Sequence, residues 1–300
     1  MADDALTAGA VARRLGVAVT TLRTWHQRYG LGPSQHVPGQ HRRYTPEDMD
    51  RLQVMRRLTA QGVPPAEAAA WARRSPVPLD GGPNGRGSRD GGGSAIATGR
   101  AGPAARGLAR AAMRMDAPAQ RDILEMTVAD LGVIDAWDQV ILPVLIGIGE
   151  RYESTRRFVE VEHLISRSIT EALAAVPRPP SDQLPRVLLA AADEEQHTLP
   201  LEALAAGLAE IGVPCRLLGA RVPPAALADA LARTGPAAVV LWSSIPPTAD
   251  PEQLRRVLAA PHPPVLVAAA GPGWAHRELP AGVPQLNSLA EAVRIVSAAA

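Results

Sequence analysis

The N-terminal stretch of the chain alternates short apolar runs with polar turns. A first run, residues 8–15, follows Thr7 as a candidate N-cap and ends at Gly16. A second run, residues 17–29, repeats large apolar side chains every three residues, at Val19, Leu22 and Trp25. Two short helices joined by a glycine turn predict a helix-turn-helix motif.

A basic segment and a third helix follow this motif. In residues 36–44 a histidine precedes a Pro-Gly pair, and a histidine and two arginines follow it, which predicts a basic hairpin. Thr45 is a candidate N-cap, Pro46 suits the first turn, and the two acidic residues that follow favour the positive end of a helix. These signals predict that a helix begins near residue 45.

The hydrophobic pattern changes further along the chain. Residues 105–176 repeat small and aliphatic side chains at helical spacing, which predicts three or four helices packed as a bundle. Beyond residue 185, short apolar runs alternate with helical stretches; the runs are residues 187–191, 237–241 and 265–269. Apolar strands that alternate with helices predict a parallel sheet covered on both faces, with ligands at the carboxyl ends of its strands.

Breaks in composition separate these parts. Residues 80–103 hold 9 of the 26 glycines, which predicts a flexible linker, and residues 177–182 form a second, proline-rich break. We therefore predict a multidomain α and α/β protein. Its segments are a winged helix-turn-helix head at 1–74, a linker at 75–104, a four-helix bundle at 105–180 and a Rossmann-like parallel sheet at 181–300.

The charges divide between the two ends of the chain. The 31 basic residues are all arginine, and with 30 acidic residues the formal net charge is only +1. Residues 1–74 nevertheless hold 11 arginines against six acidic residues, whereas residues 105–300 hold 17 against 22. The head is therefore the part suited to an anionic partner such as double-stranded DNA.

Composition also argues against several classes of protein. Hydrophobic residues make up 46% of the chain and charged residues 20%, which is typical of globular proteins. The single cysteine, Cys215, excludes an internal disulfide framework and a zinc site built from several cysteines. The acidic start and the shortness of the uncharged apolar runs predict a cytoplasmic protein with no membrane partner.

The head resembles a known family. Residues 21–31, TLRTWHQRYGL, followed by GQHRRY at 39–44, are similar to the winged helix-turn-helix of MerR-type transcription regulators, and the similarity extends over about residues 6–74. The resemblance implies a recognition helix in the major groove and hairpin arginines on phosphates. The expected DNA-binding residues are Thr21, Arg23, His26, Arg28, His41, Arg42, Arg43 and Tyr44.

The loop after the first predicted strand carries candidate ligand chemistry. It reads DEEQHTLP over residues 193–200, so an acidic residue stands two positions before His197. An imidazole at a strand end can ligate a metal ion while Glu195 or Asp193 orients its other nitrogen. On spacing alone, His197 is equally compatible with an ordinary surface or N-cap histidine.

A helical bundle followed by a parallel sheet with this loop resembles the cobalamin-binding module, in which a loop histidine is the lower cobalt ligand. The family pattern Asp-x-His-x-x-Gly reads here Glu195-x-His197-x-x-Pro200. DNA-binding photoreceptors of the CarH type carry Trp, nine residues and Glu-His in the bundle, and this chain has Tyr152 at the Trp position. The resemblance implies cobalamin, as adenosylcobalamin, with His197 as its metal ligand. The implied cofactor-binding residues are Tyr152, Glu153, Glu162, His163, Glu195, His197, Trp242, Ser243 and Gly271.

Three departures from that family pattern bear on the ligand. Glu153 stands where light-sensing members carry a second cobalt-ligating histidine, and a carboxylate is the poorer ligand, so a stable doubly histidine-ligated state is not expected. Pro200 replaces the motif glycine. Trp242 adds bulk, and if its side chain points into the cleft it occupies room that the nucleotide tail needs.

We therefore expect a ligand-responsive transcription regulator that is not an enzyme, in which a corrinoid or other small ligand controls assembly and DNA binding. Heads of this kind bind paired half-sites, and a glycine-rich linker cannot set their spacing, so we expect a homodimer or homotetramer assembled through the sensor half. Two alternatives stay open. The cleft binds a non-cobalamin ligand or a protein partner, or the chain is a corrinoid methyl carrier or enzyme module, which has no need of a basic head.

Overall fold

The protein is described from a computed structural model of the whole chain. The structure describes residues 6–15, 17–34, 42–60, 65–74, 96, 98, 101–180 and 182–300. These form two compact units, Met1–Ile123 and Leu124–Ala300. The tip of the predicted hairpin, including His41, and most of the predicted linker lie outside the described residues.

The first unit contains the predicted helix-turn-helix. Its elements are β1 (Leu6–Thr7), α1 (Ala8–Leu15), α2 (Val19–Tyr29), β2 (Arg43–Tyr44), α3 (Pro46–Ala60) and α4 (Pro65–Arg74). The Thr7 hydroxyl accepts a hydrogen bond from the Ala10 N–H at 3.3 Å, as an N-cap of α1 does. β2, the end of the predicted hairpin, pairs antiparallel with β1. Leu22 and Trp25, 1% and 7% exposed, lie in the core as their helical spacing predicts.

A buried carboxylate at the start of α3 binds backbone groups on both sides of the predicted hairpin. Asp48 is 1% exposed, and its Oδ2 accepts hydrogen bonds from the N–H groups of Ser34 and Thr45 at 3.0 and 3.1 Å. Its Oδ1 lies 2.5 Å from the Arg51 guanidinium. A charge that is buried this deeply is stable because donors surround it, so Asp48 holds together the segment between α2 and α3.

Four helices follow in the described residues, as the pattern predicted. They are α5 (Pro103–Met113), α6 (Ala117–Ala136), α7 (Leu142–Thr155) and α8 (Val159–Ala174). α5 and the start of α6 belong to the first unit. A π-helical segment, Trp137–Ile141, joins α6 to α7.

The last part of the chain forms the predicted parallel sheet. Its strands are β3 (Val187–Ala191), β4 (Cys215–Leu217), β5 (Ala238–Trp242), β6 (Leu266–Ala270) and β7 (Gln285–Leu286), and its helices are α9 (Leu199–Glu210), α10 (Pro224–Thr234), α11 (Pro251–Leu258) and α12 (Leu289–Ala299). The strand order is β4-β3-β5-β6-β7, and all pairs are parallel. The chain leaves β3 for one edge and returns to build the other, so the loops after β3 and β5 meet at the switch point, where such sheets bind ligands.

A glycine break in α6 is held from α9. Gly132 has φ 78° and ψ 168°, a conformation that favours glycine, and the break frees the N–H of Val133 from the helix. Both carboxylate oxygens of Glu210 lie 3.2 Å from this nitrogen. Glu210 therefore caps the second half of α6 and fixes the direction in which the chain enters the π-helical segment.

One described helical run, Ala117–Thr155, is long and apolar enough by length and composition to cross a membrane. Its most apolar window has a mean hydropathy of 1.7, and 44% of that window is buried within the protein. The core helices of soluble proteins meet the same criteria, and Gly132 interrupts this run. The run is thus weak evidence for a span, and the absence of a membrane partner stays a prediction.

Candidate functional site

A buried carboxylate organises the loop after β3. Glu195 is 1% exposed. Its Oε2 accepts hydrogen bonds from the Ser244 N–H at 2.7 Å and the Thr248 hydroxyl at 2.8 Å, and its Oε1 accepts one from the His197 N–H at 2.9 Å. These bonds join the loops after β3 and β5, which the strand order makes neighbours.

Glu195 also orients the His197 ring, whose Nδ1 lies 2.6 Å from Oε1. Burial by itself raises the pKa of Glu195, but the hydrogen bonds from His197, Ser244 and Thr248 outweigh it and lower this pKa below its ordinary value. The ionised carboxylate has no proton to donate, so Nδ1 must carry the proton of the hydrogen bond. Neutral His197 therefore keeps an unprotonated Nε2, the form that ligates metals.

Of the two acidic residues that could orient His197, the structure selects Glu195. The Asp193 N–H is held elsewhere, by the Gln253 Oε1 at 3.0 Å. Glu194, between them, has φ 64° and pairs with Arg221 at 2.6 Å. Positive φ at a non-glycine residue is uncommon and is tolerated where the surroundings fix the loop, which is the case at this strand end.

Ser243, an expected cofactor-binding residue, supports this carboxylate through Thr248, and its contact with a cofactor stays a prediction. It is 0% exposed, and its Oγ lies 2.7 Å from the Thr248 Oγ1. Because the Thr248 hydroxyl donates its one proton to Glu195, it can accept the proton of Ser243 in turn. A hydroxyl enclosed in this way stabilises the loop behind Glu195.

His197 lines a cavity of about 900 Å³, here called the histidine cavity. The helices α7 and α8 and their connection contribute Tyr152, Glu153, Phe158 and Glu162, and the other part of the wall comes from Gln196, His197, Thr198 and Glu202. A volume of this size is typical of sites for cofactors and other small molecules. Three of the expected bundle residues, Tyr152, Glu153 and Glu162, thus come together with His197.

His163 lies outside the wall of the histidine cavity. Its side chain is 74% exposed, and its Nδ1 lies 2.6 Å from the Glu162 Oε2. The Glu162 Oε1 accepts a second hydrogen bond from the Ser166 hydroxyl at 2.8 Å. The histidine therefore positions Glu162, which itself lines the cavity, and a contact of His163 with a cofactor stays a prediction.

A second cavity of about 450 Å³, the tryptophan cavity, lies at the carboxyl ends of β5 and β6. Trp242 and Gly271 line it together with Trp137 of the π-helical segment. Gly271 has φ 103°, and a Cβ on it would lie 3.0 Å from the Trp242 ring, so a larger residue does not fit there. The side chain of Trp242 faces this cleft, yet an open volume remains beside it. The Nε1 of Trp242 is buried and has no hydrogen-bond partner in the described part of the chain.

Pro200 lines both cavities. It stands in the first turn of α9, where a missing N–H costs no intrahelical hydrogen bond and the restricted φ of proline suits the helix. The exchange of the motif glycine for proline is therefore compatible with the local structure.

The head exposes part of the expected DNA-binding set. Arg23 and Arg28 on α2 and Arg43 on β2 are exposed, and Thr21 and Arg42 are half-buried. Arginines on a recognition helix can donate two hydrogen bonds to guanine, and those on a neighbouring strand can reach phosphates. His41 lies outside the described residues.

Two members of that set, Tyr44 and His26, are placed by packing, and their DNA contacts stay predictions. Tyr44 is 1% exposed, and burial raises the pKa of its hydroxyl. His26 is half-buried, and its ring packs so closely on Gly32 that a Cβ there would overlap with it. Both side chains therefore stabilise the head and have little surface left for DNA.

Sequence reasoning missed several residues of the site. Thr248 stands 53 residues from Glu195, and no local pattern connects the two. Phe158, the single phenylalanine, was not singled out. Glu202 had a readable signal, since it follows Thr198 by four residues at a helix start, and the Thr198 hydroxyl does donate to its Oε1 at 2.8 Å.

Comparison with known proteins bears on both parts of the chain. Residues 6–75 match the family described as MerR HTH family regulatory protein, and residues 104–176 match the family described as B12 binding domain. The chain is 32% identical over 224 residues to the HTH-type transcriptional repressor CarH of Myxococcus xanthus, a match that covers 74% of this chain and 73% of that protein.

Solved structures are similar to the C-terminal part. The monomethylamine corrinoid protein of Methanosarcina barkeri has a TM-score of 0.50 and 12% identity, covering 63% of this chain and 94% of that chain. A cobalamin-binding protein from Desulfitobacterium hafniense has a TM-score of 0.34 and 18% identity, covering 64% of this chain and 97% of that chain. At these identities the Methanosarcina protein is evidence for the fold alone.

The basic head and the helical B12-type segment thus occur in one chain. With 32% identity over about three quarters of both proteins, the chain belongs to the CarH-like family of MerR-type transcription regulators with a B12-binding domain.

Proposed function

We propose that this protein is a cobalamin-dependent transcription regulator, and, as the name of its relative CarH indicates for that protein, a repressor. The observation that carries the proposal is the oriented His197 imidazole at the wall of a cavity of about 900 Å³. Ligand in this cavity controls assembly into a dimer or tetramer, and assembly sets the spacing of the DNA-binding heads. We place the protein in the cytoplasm, with its DNA.

The residues of the histidine cavity fit a corrinoid. His197 would hold the cobalt of a corrin through its unprotonated Nε2. Tyr152 and Phe158 are the aromatic side chains of the wall, and the guanidinium groups of Arg156 and Arg151 stack on them. When bound, adenosylcobalamin supplies a cobalt centre with a light-sensitive cobalt–carbon bond.

The tryptophan cavity fits a nucleotide tail. Pro200 lines both cavities, so the two are adjacent, and we propose that a ligand in the histidine cavity places its tail in the tryptophan cavity. A volume of about 450 Å³ remains there beside Trp242, so this side chain does not close the cleft. Glu153 lines the histidine cavity and, as a carboxylate, is a weaker partner for cobalt than an imidazole.

Visible spectroscopy tests the cobalamin proposal. Protein purified in the dark with adenosylcobalamin is expected to shift the absorption bands of the ligand, because His197 enters the cobalt coordination. His197→Ala should lose this shift, whereas His262→Ala, a control on an exposed loop histidine, should keep it. Spectra after illumination then report whether the bound ligand responds to light. Free-ligand bands with the wild type, unchanged in His197→Ala, would overturn the proposal.

Gel shifts test the DNA-binding face. Arg23→Ala, on the exposed side of α2, is expected to weaken specific binding by about 1–3 kcal/mol. Arg42→Ala should weaken binding to all sequences and flatten the dependence of log K on log salt by about one unit. Arg233→Ala, an exposed arginine in the last turn of α10, serves as the control. Affinities equal to wild type in both head variants would contradict the assignment.

A second candidate keeps the regulator and replaces its ligand. Trp242 narrows the tryptophan cavity and leaves its Nε1 unpartnered, which favours a compact ligand with a hydrogen-bond acceptor. Binding of such a ligand without any corrinoid spectrum would favour this candidate. A corrinoid methyl carrier, the further alternative, shares the sheet fold but does not use Arg23 and Arg28.

A further inference from the structure

The two carboxylate oxygens of Glu202, in the first turn of α9, have different surroundings. Its Oε1 accepts a hydrogen bond from the Thr198 hydroxyl at 2.8 Å. Its Oε2 is buried and has no hydrogen-bond partner in the part of the chain that the structure describes. Glu202 and Thr198 both line the histidine cavity. A buried acceptor without a donor costs free energy, which a ligand with an N–H group at that place can recover.

The charges around Glu202 favour the same kind of ligand. Glu153 and Glu162 are the other carboxylates on the wall of the histidine cavity. Arg167 also lines the cavity, and its Nε lies 2.9 Å from the Glu171 Oε1. Further guanidinium groups stack on the wall's aromatic rings at 4.8 to 5.8 Å from the ring centroids, those of Arg151, Arg156 and Arg157. A carboxylate is therefore disfavoured locally, at Glu202, where a ligand carboxylate meets a like charge and an N–H donor finds an acceptor.

We propose that Glu202 makes the histidine cavity bind a corrin with carboxamide arms more tightly than one with carboxylate arms. This proposal rests on the proposed corrinoid function. The arms of cobinamide are carboxamides, and those of cobyrinic acid are carboxylates. A carboxamide N–H donates to the Glu202 Oε2 and satisfies it. A carboxylate arm has no proton to donate at neutral pH and adds a like charge at close range.

This selectivity is separate from cobalt ligation. His197 and Glu195 act on the metal, which is the same in both corrins, so they contribute equally to the affinity for either one. Glu202 acts on the periphery of the ring, where the two corrins differ. The change in the ratio of the two affinities when Glu202 is replaced therefore reports on Glu202, and the presence of any binding reports on the corrinoid function itself.

The test is a titration of the full-length protein, in the dark, with the aqua forms of cobinamide and of cobyrinic acid, followed by visible absorption. The wild type is expected to bind cobinamide at least about 20-fold more tightly than cobyrinic acid. A factor of this size corresponds to the loss of one charge-assisted hydrogen bond together with the repulsion between two carboxylates. Glu202→Gln keeps the size and the Thr198 bond but removes the charge, so its ratio should fall to about threefold or less. Glu150→Gln, an exposed change on α7, should keep the wild-type ratio.

Glu202→Leu, of similar volume, is the second variant, for use if Glu202→Gln does not fold. The same fall in the ratio of the two affinities is expected for it. Equal wild-type affinities for the two corrins, or an unchanged ratio in the folded Glu202 variants, would overturn the role of Glu202. No spectral change with either corrin in any variant would instead overturn the corrinoid function.

Discussion

Replacing Glu195 with alanine is expected to lower the free energy of unfolding by about 3 kcal/mol and to weaken cobalamin binding by about 100-fold. The carboxylate is 1% exposed, and it accepts hydrogen bonds from His197, Ser244 and Thr248. Alanine leaves these donors buried and unpaired, which is costly. It also removes the acceptor that keeps the proton of His197 on Nδ1, so the ring loses its fixed orientation and tautomer.

Urea denaturation followed by circular dichroism, together with a corrinoid titration, measures both effects. Glu194→Ala is the matched control one residue away. Glu194 is exposed and pairs with Arg221 at the surface, where an ion pair contributes little. Equal losses of stability and affinity in the two variants would contradict the central role of Glu195.

The same carboxylate predicts a pH dependence. Its hydrogen bonds hold the pKa of Glu195 below the ordinary value, so its contribution to stability is complete above the unfolded-state pKa of about 4.3. This contribution is lost as the pH falls through the lower folded-state pKa. The wild type should therefore lose stability more steeply than Glu195→Gln between about pH 5 and pH 3. Parallel pH profiles for the two proteins would contradict a folded-state pKa of Glu195 below its unfolded-state value.

Replacing Asp48 with alanine is expected to destabilise the head by about 3 kcal/mol and to abolish DNA binding. Asp48 is 1% exposed, and alanine leaves the N–H groups of Ser34 and Thr45 without an acceptor. It also leaves Arg51 without its partner. A head of about 70 residues has only a few kcal/mol of stability, so this loss removes most of it.

Gel shifts and hydrogen exchange at α2 measure the effect of Asp48→Ala. Glu47→Ala, an exposed acidic residue in the same turn, should leave DNA binding unchanged. Corrinoid binding, which uses residues of the second unit, should be retained in both variants. Wild-type DNA affinity in Asp48→Ala would show that the carboxylate does not hold the segment between α2 and α3.

Four of the expected site residues have side chains whose directions the motifs do not give, so their roles stay predictions. Ser243, Tyr44, His26 and His163 have suitable chemistry at suitable positions in family motifs. Three of them are turned into the protein by packing, and His163 is turned toward solvent. A motif specifies the type of side chain at a position, whereas the direction of that side chain depends on neighbours that are distant in sequence.

Local patterns in the sequence were sufficient for the class of fold, the three central strands of the sheet, the basic head and the acid-histidine loop, but not for the short edge strands β4 and β7. Hydrophobic periodicity, caps and short spacings act over a few residues, so they can be read directly. The three-dimensional fold was needed to show that Glu195 rather than Asp193 orients His197, and that Glu202 keeps an unpaired oxygen in the same cavity. The bonds of Glu195 to Ser244 and Thr248 span 49 and 53 residues. These partners meet because the strand order places β5 beside β3, and no local interaction encodes that order.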